Sequence, residues 1–379
     1  MRSGHTRGVK RILAAPTAFK GTLTPGEAAA AISAGIRRRH PGAEVDAAPV
    51  SDGGDGFLEA LEGPLRARRQ SVVVRGPVHA PLAAAYGVSD DGLGLVEAAR
   101  VVGIARVPPG HLDALGASSG GLGELLGEAR QAGARRLIVG LGGSASTDGG
   151  TGMARALGYR FLDGAGQELA EGGGDLGRLR RIDPSGFDPA WLMVPIEVAC
   201  DVDNPLLGPQ GTAAVYGPQK GARPEEVARL EEAMAVLAAA IQRDLGVDVG
   251  SIPHGGAAGG LGAGFVAFLG GRLASGARLV IDAIGLPARL ERTGVLVTGE
   301  GRLDGQSLHG KAPVAVGRLA RAIGVRSIAV VGTTGPGWEA ALGDAFDEVR
   351  VLPGAAPPPG LEEAQRRLAE AAGLLDLDL

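Results

Sequence analysis

The stretch VLVTGEGRLDGQSLHGK, residues 295–311, shows the pattern that decides the fold. Its first four residues, Val295–Thr298, are mostly apolar and do not alternate with polar residues, which indicates a strand buried on both faces. A glycine-rich polar loop follows at once, and a helical pattern covers Ala312–Ile323. Strand, glycine loop and helix in this order predict one βα unit of a parallel sheet.

The same pattern recurs along the chain. Five further short apolar segments are predicted to be buried strands: Arg11–Ala15, Glu44–Val50, Arg136–Gly140, Ser327–Val331 and Glu348–Leu352. Helical patterns separate most of them, and Thr24-Pro25-Gly26-Glu27 is a capping box that opens a helix reaching about Arg39. Because crossover connections between parallel strands are right-handed, the six segments predict an α/β fold with one doubly wound, six-stranded parallel sheet.

Two regions interrupt this rhythm and indicate a second domain. Residues 71–106 contain three short apolar segments close enough together for antiparallel pairing, and residues 161–290 contain one long helix near Pro224–Leu245. We interpret both as a smaller, mixed α/β domain inserted twice into the first. The parallel-sheet domain then comprises residues 1–70, 112–160 and 292–379, and the second domain residues 71–111 and 161–291.

Composition points to a small anionic ligand. Glycine supplies 66 of 379 residues, against a usual share of about 7%, and the glycines gather in polar loops after the apolar segments. The formal net charge of −4 gives no global field that would attract nucleic acid. Three of the four lysines, Lys20, Lys220 and Lys311, lie in these loops. Because ligands of open parallel sheets bind at the carboxyl ends of the strands, the loops predict one wide site for a phosphate-bearing ligand.

Cysteine content and hydropathy bear on the compartment. The single cysteine, Cys200, excludes an internal disulfide and favours a cytoplasmic protein, and its apolar surroundings predict a buried side chain. Residues 1–11 are basic but lead into an apolar run too short for a signal peptide. Residues 249–271 carry no Asp, Glu, Lys or Arg, yet they are too rich in glycine for a membrane helix. We therefore predict no membrane partner.

The loop at residues 299–311 nearly matches a phosphate-binding P-loop. Gly305 and Gly310-Lys311 have the required spacing, but Ala312 replaces the Ser or Thr that would hold magnesium. Main-chain N–H groups at a helix start and one lysine would still favour phosphate. Upstream, Glu300, Arg302 and Asp304 could bind a sugar or a metal, and a surface ion pair is a plausible alternative for Glu300. A histidine in this loop, His309, is a candidate base.

The most specific single motif lies at residues 142–150, where two pairs of glycines flank three hydroxyl side chains and one carboxylate. The backbone at Gly142 and Gly143 can approach a ligand closely because these residues lack a side chain. Hydroxyl groups there could donate to phosphate, and one carboxylate could bind magnesium or accept a proton; these side chains are Ser144, Ser146, Thr147 and Asp148.

Other carboxylates follow further strands. Asp52 and Asp55, in the loop at residues 51–56, suit a divalent cation or the hydroxyls of a small polyol. Asp201 and Asn204 end a strand of the inserted domain, and Lys220 follows closely. These residues could face the parallel sheet across a cleft, where two-domain enzymes usually bind substrates. His254 is a second candidate base.

Taken in order, these motifs closely resemble those of the bacterial type I glycerate kinase family. The matching stretches span nearly the whole chain: residues 15–20, 51–56, 142–150, 199–205, 217–221, 255–264 and 298–311. The resemblance implies ATP-dependent phosphorylation of D-glycerate with Mg²⁺, with 2-phosphoglycerate favoured over 3-phosphoglycerate. It also implies two α/β domains, one with a Rossmann-like or flavodoxin-like sheet. Thr17 and Ala18 depart from an Asp-Ser pair common in the family, and Asp55 stands where Glu is frequent.

Under this resemblance the candidate residues take provisional roles. Lys20 or Lys220 would hold the glycerate carboxylate, and Asp52, Asp148 or Asp201 would serve as general base or magnesium ligand. ATP phosphates would contact Gly142, Gly143, Ser144, Ser146, Gly310 and Lys311. Further substrate contacts would come from Asp52, Asp55, Asn204, Arg302 and Asp304.

Two other functions stay open from the residues alone. A nicotinamide-dependent dehydrogenase of a small hydroxy acid would need G-x-G-x-x-G after the first strand, and residues 15–21 do not supply it. A non-catalytic protein that binds a phosphorylated metabolite would gain nothing from carboxylates near its anion. A homo-oligomer is compatible with the sequence.

Overall fold

The computed structural model describes residues 11–308, 310–354 and 360–377. The chain divides into two compact units. The first unit comprises the residues up to Leu61 and those from Ala277 onward, and the second unit is Glu62–Gly276. The second unit is thus a single insertion, whereas the sequence predicted two insertions with other boundaries.

The strands are, in chain order, β1 (Arg11–Ala14), β2 (Glu44–Ala47), β3 (Ala67–Arg75), β4 (Pro81–Ser89), β5 (Leu93–Glu97), β6 (Arg136–Gly140), β7 (Arg160–Leu162), β8 (Arg181–Asp183), β9 (Ile196–Cys200), β10 (Arg272–Ser275), β11 (Val295–Leu303), β12 (Arg326–Thr334) and β13 (Glu348–Val351). The α-helices are α1 (Pro25–Arg39), α2 (Phe57–Glu62), α3 (Ala99–Val102), α4 (Gly120–Gln131), α5 (Thr151–Ala156), α6 (Thr212–Tyr216), α7 (Pro224–Leu245), α8 (Ala257–Leu269), α9 (Gly276–Ala283), α10 (Leu286–Leu290), α11 (Ala312–Ala322) and α12 (Leu361–Gly373). In the described part of the chain, no helix combines the length and apolar character needed to cross a membrane.

The first unit is built on a parallel sheet. Its strands, as far as the structure describes them, lie in the order β13-β12-β11-β1-β2. Helices α1 and α12 cover one face, where a cluster that includes Ile32 and Leu368 is fully buried. The predicted capping box begins α1: the Thr24 hydroxyl accepts from the Glu27 N–H at 3.2 Å, and the Glu27 carboxylate accepts from the Thr24 N–H at 2.8 Å.

The second unit is built on a mixed sheet. Among the described residues its order is β10-β9-β6-β5-β4-β3, with β3, β4 and β5 antiparallel, as the sequence predicted for residues 71–106. Strands β5, β6, β9 and β10 are parallel. A separate antiparallel pair joins β7 to β8. The amphipathic helix α7 buries Leu230, Leu237 and Ile241.

The prediction of one six-stranded parallel sheet is wrong, because one of the six predicted strands, Arg136–Gly140, belongs to the other sheet. This segment, β6, pairs with β5 and β9 of the second unit and not with the sheet of the first. It is buried and parallel, as predicted, but an apolar run does not reveal which strands flank it. Helix α4 connects β5 to β6 as a local βαβ unit, and consecutive strands of that kind usually become neighbours.

Candidate active site

Three loops of the first unit leave its sheet at the same edge. They follow β2, β1 and β11, which are neighbours in that order. Hydrogen bonds fix the loops to one another: the Val50 N–H donates to the Pro16 carbonyl at 3.0 Å, and the Thr17 N–H donates to the Gly299 carbonyl at 2.9 Å. A Cβ at Gly301 would lie 3.2 Å from the main-chain nitrogen of Lys20. Because glycine has no Cβ, the turn that carries the exposed Lys20 can lie close against β11.

Glu300 is the carboxylate at the centre of this edge. Its side chain is only 8% exposed, although the sequence allowed a surface ion pair. Carboxylate oxygen Oε2 lies 3.6 Å from Lys311 Nζ. The other oxygen, Oε1, is buried and has no hydrogen-bond partner within the described residues. Burial raises the pKa of Glu300, and the negative charge of Asp52 raises it further, whereas Lys311 and Ser307 oppose the shift.

Lys311 ends the loop that precedes α11. Its Nζ donates to Ser307 Oγ at 3.3 Å, and its backbone occupies the N-cap position of α11 without a side-chain cap. Gly310, just before it, is exposed and has a φ of 100°, a left-handed conformation that favours glycine. The predicted phosphate-binding loop is therefore a short 3₁₀ turn at Gly305–Leu308 followed by a helix start. His309 lies outside the described residues.

Asp52 and Asp55 occupy the loop after β2. Asp52 is half-buried, and its Oδ1 accepts from the Gly54 N–H at 3.4 Å, while Ser51 Oγ accepts from the Gly53 N–H at 3.2 Å. This local bonding holds the loop and leaves most of the Asp52 acceptor capacity unused by those contacts. Asp55 is exposed.

Arg302, near the end of β11, forms an ion pair with Asp304, which follows that strand. Arg302 Nε lies 3.3 Å from Asp304 Oδ2, and the arginine side chain is 62% exposed. Asp304 also stabilises the 3₁₀ turn, because its Oδ1 accepts from the Gln306 N–H at 3.0 Å. Asp304 is thus tied to the local fold, whereas Arg302 is accessible.

Asp148, in the second unit, is fully buried and saturated with hydrogen bonds. Its Oδ2 accepts from the Ser119 N–H at 2.8 Å, from Ser119 Oγ at 2.8 Å and from the Gly152 N–H at 3.1 Å. Its Oδ1 accepts from the Gly150 N–H at 3.1 Å. Burial raises the pKa of Asp148, and the four donors oppose that shift. These bonds join the loop after β6 to the start of α4.

Lys220 is also internal to the second unit. It is 1% exposed, and its Nζ donates to Ser144 Oγ at 3.1 Å and to the Ser146 carbonyl. Burial lowers the pKa of Lys220 to about 7, and the charge of Asp148 partly opposes this. A Cβ at Gly259, where φ is +75°, would clash with the Ser146 carbonyl oxygen at 1.9 Å, so this position requires glycine. Lys220 and Gly259 therefore fix the loop at residues 142–150 from inside the protein.

The same loop exposes part of its backbone. Gly143 is exposed and a Cβ there would meet nothing within 4 Å, whereas Ser144 forms an isolated bridge with Gly103. Gly142 is half-buried, and Ser144 and Ser146 are buried. Of this loop's predicted phosphate contacts, the main chain at Gly142–Gly143 is accessible and the two hydroxyls are not.

Asp201 and Asn204 follow β9. Asp201 is exposed. The Asn204 amide is committed locally: its Oδ1 accepts from the Tyr216 hydroxyl at 2.6 Å, and its Nδ2 donates to the Gln210 carbonyl at 2.8 Å. His254 Nδ1 lies 2.7 Å from the Val202 carbonyl. Cys200 is buried, as predicted, and burial together with the nearby aspartates raises its pKa to about 12.

The predicted residues thus fall into two groups. The first unit contains Lys20, Asp52, Asp55, Arg302, Asp304, Gly310 and Lys311. The second unit holds Gly142, Gly143, Ser144, Ser146, Asp148, Asp201, Asn204 and Lys220. Convergence of both groups on one cleft stays a prediction from the sequence. Within the described residues, no group of three or more Asp, Glu, His or Cys side chains is poised to hold a metal.

Sequence reasoning missed two partners. It did not single out Glu300 as a central residue, although Gly-Glu-Gly directly after a buried apolar run is a signal for a carboxylate held at a strand end. It also missed Ser119, whose main-chain and hydroxyl donors hold Asp148, since residues 118–120 carry no pattern beyond a helix start.

Comparison with known proteins places this arrangement in a family. The chain is 42% identical over 337 residues to a glycerate kinase of Halalkalibacterium halodurans, with 89% of each chain covered. It is 40% identical to a glycerate kinase of Bacillus subtilis, covering 95% of this chain and 94% of the relative. It is 41% identical to glycerate 2-kinase of Escherichia coli, covering 82% of each.

A solved structure agrees in fold. The crystal structure of a candidate glycerate kinase 2 from Salmonella typhimurium LT2 is similar with a TM-score of 0.84 and 39% identity, covering 97% of each chain. The model of the glycerate kinase family matches residues 12–374, which include both units almost completely. The chain therefore belongs to the glycerate kinase family.

Proposed function

We propose that the protein transfers the terminal phosphoryl group of ATP to a hydroxyl of D-glycerate, with the 2-hydroxyl as the favoured acceptor. Family membership supports the reaction class, and the relative from Escherichia coli is named for the 2-position. One structural observation carries the proposal: Lys311 and the buried Glu300 lie together at the carboxyl edge of the first sheet, with the charge of Asp52 acting on Glu300. Cationic and acidic groups in one place suit a nucleotide that arrives with a metal ion.

The nucleotide phosphates would bind at the start of α11. Lys311 supplies a positive charge there, and the N-cap position has no side-chain cap. The N–H groups of Ala312 and Val314 are therefore available to phosphate, whereas Pro313 has no N–H group. Lys20 and Arg302 are the exposed cations of the same unit's loops. Either could hold the glycerate carboxylate, and Arg302 has the planar geometry that pairs with carboxylates.

Asp52 of the first unit is a better candidate ligand for Mg²⁺ than Asp148 of the second unit. Mg²⁺ is usually held by one or two carboxylates together with substrate phosphates, and it neutralises the charge on the transferred group. Asp148 is fully buried, and its two carboxylate oxygens accept hydrogen bonds from four protein donors. Asp52 is half-buried and has acceptor capacity beyond its single contact of 3.4 Å. Asp201, which is exposed, remains a candidate general base.

Lys220 acts in this proposal as a positioning residue. Its ammonium contacts Ser144 and Ser146 of its own unit and is 1% exposed, so it shapes the loop whose backbone at Gly143 is accessible. Asn204 similarly fixes the turn after β9 through Tyr216. Cytoplasmic location and a homo-oligomeric state stay predictions.

The proposed reaction is tested by ADP release coupled to NADH oxidation, with D-glycerate and Mg·ATP as substrates. We expect turnover that requires both, and ¹³C NMR of the product should show the phosphoryl group on C2. L-Glycerate and glycerol serve as matched controls that change the stereocentre or remove the carboxylate. Absence of D-glycerate-dependent ADP release would contradict the proposal, and phosphorylation at C3 would correct the position.

A further inference from the structure

One oxygen of Glu300 has no hydrogen-bond partner in the part of the chain that the structure describes. The residue is 6% exposed, and Oε1 has no hydrogen-bond partner within the described residues, whereas Oε2 faces Lys311. Buried carboxylate oxygens in folded proteins are almost always satisfied, because an unmet acceptor costs the full desolvation penalty. An oxygen left unmet at the carboxyl edge of a parallel sheet, where ligands bind, indicates a missing ligand.

The neighbours of Glu300 specify the charge of that ligand. Asp52 follows β2 and Glu300 lies near the end of β11, and only β1 separates these two strands. Asp52 lies close enough to Glu300 for its negative charge to act on that carboxylate. Lys311 lies 3.6 Å from Oε2, so it leaves the other oxygen uncompensated. A cation between the two carboxylates would remove both their repulsion and the unmet acceptor.

We infer that Glu300 Oε1 and the Asp52 carboxylate together hold a divalent cation of the Mg²⁺ or Mn²⁺ class, and that Lys311 orients Glu300 from its opposite oxygen. Mg²⁺ that binds together with a nucleotide is usually held by one or two carboxylates, and phosphates and water complete its coordination. The pair Glu300 and Asp52 fits this ligand number. The inference rests on the proposed function only in that ATP supplies those phosphates. It assigns the cation to Glu300, for which the sequence left both a metal or sugar contact and a surface ion pair open.

Iron-directed cleavage locates the site without measuring catalysis. Fe²⁺ replaces Mg²⁺ in the intact protein with ATP, and ascorbate with peroxide then generates hydroxyl radicals beside the bound metal. Mass spectrometry should find main-chain cleavage concentrated at residues 51–54 and 299–302, and excess Mg²⁺ should suppress it. Cleavage concentrated instead at residues 142–150 or 201–204 would overturn the inference.

Variants then test the ligands individually. Mn²⁺ binding in the presence of ATP, followed by water proton relaxation, should weaken at least about tenfold in Glu300→Gln and in Asp52→Asn. Glu362→Gln, an exposed residue of α12, is the matched control and should bind Mn²⁺ as the wild type does. Thermal unfolding of each variant checks that it is folded. Wild-type Mn²⁺ affinity in a folded Glu300→Gln variant would refute the assignment.

The outcomes separate this inference from the proposed function. If the wild type phosphorylates D-glycerate but neither cleavage nor Mn²⁺ affinity depends on Glu300, the function stands and the cation site is wrong. If cleavage and Mn²⁺ affinity depend on Glu300 while D-glycerate is not phosphorylated, the cation site stands and the substrate is wrong.

Discussion

Asp148 and Glu300 are both buried carboxylates in glycine-rich stretches at parallel strands, yet their surroundings differ. Asp148, in the second unit, accepts four hydrogen bonds from Ser119, Gly150 and Gly152. Glu300, in the first unit, has one cation at 3.6 Å and one oxygen with no partner in the described residues. The comparison teaches that burial alone does not mark a functional carboxylate. A carboxylate saturated by protein donors has no capacity left for a ligand, whereas one with an unpaired oxygen can accept one.

The variant Asp148→Asn tests whether Asp148 stabilises the fold, and we expect it to have the largest effect on stability. We expect the free energy of unfolding to fall by about 4 kcal/mol, because the amide loses charge-assisted bonds and turns N–H groups toward a buried donor. Urea unfolding followed by circular dichroism measures the change. Asp90→Asn, at a side chain 82% exposed, is the control and should change stability by less than about 0.5 kcal/mol. If Asp148→Asn were as stable as this control, the structural role of Asp148 would be wrong.

Lys311→Met tests whether the Glu300 group serves catalysis. Removing a cation that binds phosphate should lower kcat/KM for ATP by roughly 10²-fold, equivalent to about 3 kcal/mol of barrier. Stability should fall by less than in Asp148→Asn: Glu300 loses its nearby cation, but Lys311 is one-third exposed and Glu300 can take up a proton instead. Steady-state kinetics and urea unfolding are measured on the same preparation. Unchanged kinetics with lost stability would reverse the assignment of the two groups.

Lys220 makes the stability of the second unit depend on pH. Its folded pKa is lowered to about 7, so between about pH 7 and pH 10.5 the unfolded chain binds a proton that the folded protein does not. Stability due to this group therefore rises with pH, by about 2 kcal/mol between pH 7 and pH 9. The difference in unfolding free energy between wild type and Lys220→Met, followed across that range, isolates the effect. A difference that stays flat with pH would show that the buried ammonium keeps its ordinary pKa.

Glu300→Gln should have the smallest effect, and in the opposite direction from Asp148→Asn. In the absence of divalent cations we expect a gain of about 1 kcal/mol at pH 8, because the amide removes an incompletely paired buried charge. The folded pKa of Glu300 is raised, so its ionisation costs stability as pH rises above the ordinary value for Glu. The gain should therefore vanish near pH 4. Differential scanning calorimetry with EDTA measures it, and a loss at pH 8 would mean that Glu300 is structural.

Local sequence signals predicted much of the fold. The capping box predicted α1, the helical pattern near Pro224–Leu245 predicted α7, and the spacing of residues 71–106 predicted antiparallel strands, all of which the structure contains. These features depend on side chains within a few residues of each other, so the chain itself carries the information. The partner strands of Arg136–Gly140 could not be predicted, because pairing depends on residues far away in the sequence.

The candidate site shows the same division. Lys20 and Lys220 occupy similar glycine-rich loops in the sequence, but Lys20 is exposed and Lys220 is buried against Ser144 and Ser146. No local pattern separates them, because Lys220 is buried by distant segments, among them Ser144, Ser146 and Gly259, which lies 39 positions further along the chain.

The sequence by itself determined the βα units, the glycine loops at the strand ends and the family to which those loops belong. Only the tertiary structure decided which strands share a sheet, which lysine is internal and that Glu300 has an oxygen without a partner among the described residues. The physical reason is that turn and helix preferences arise from neighbouring residues, whereas burial and hydrogen-bond saturation arise from groups that meet only when distant segments pack.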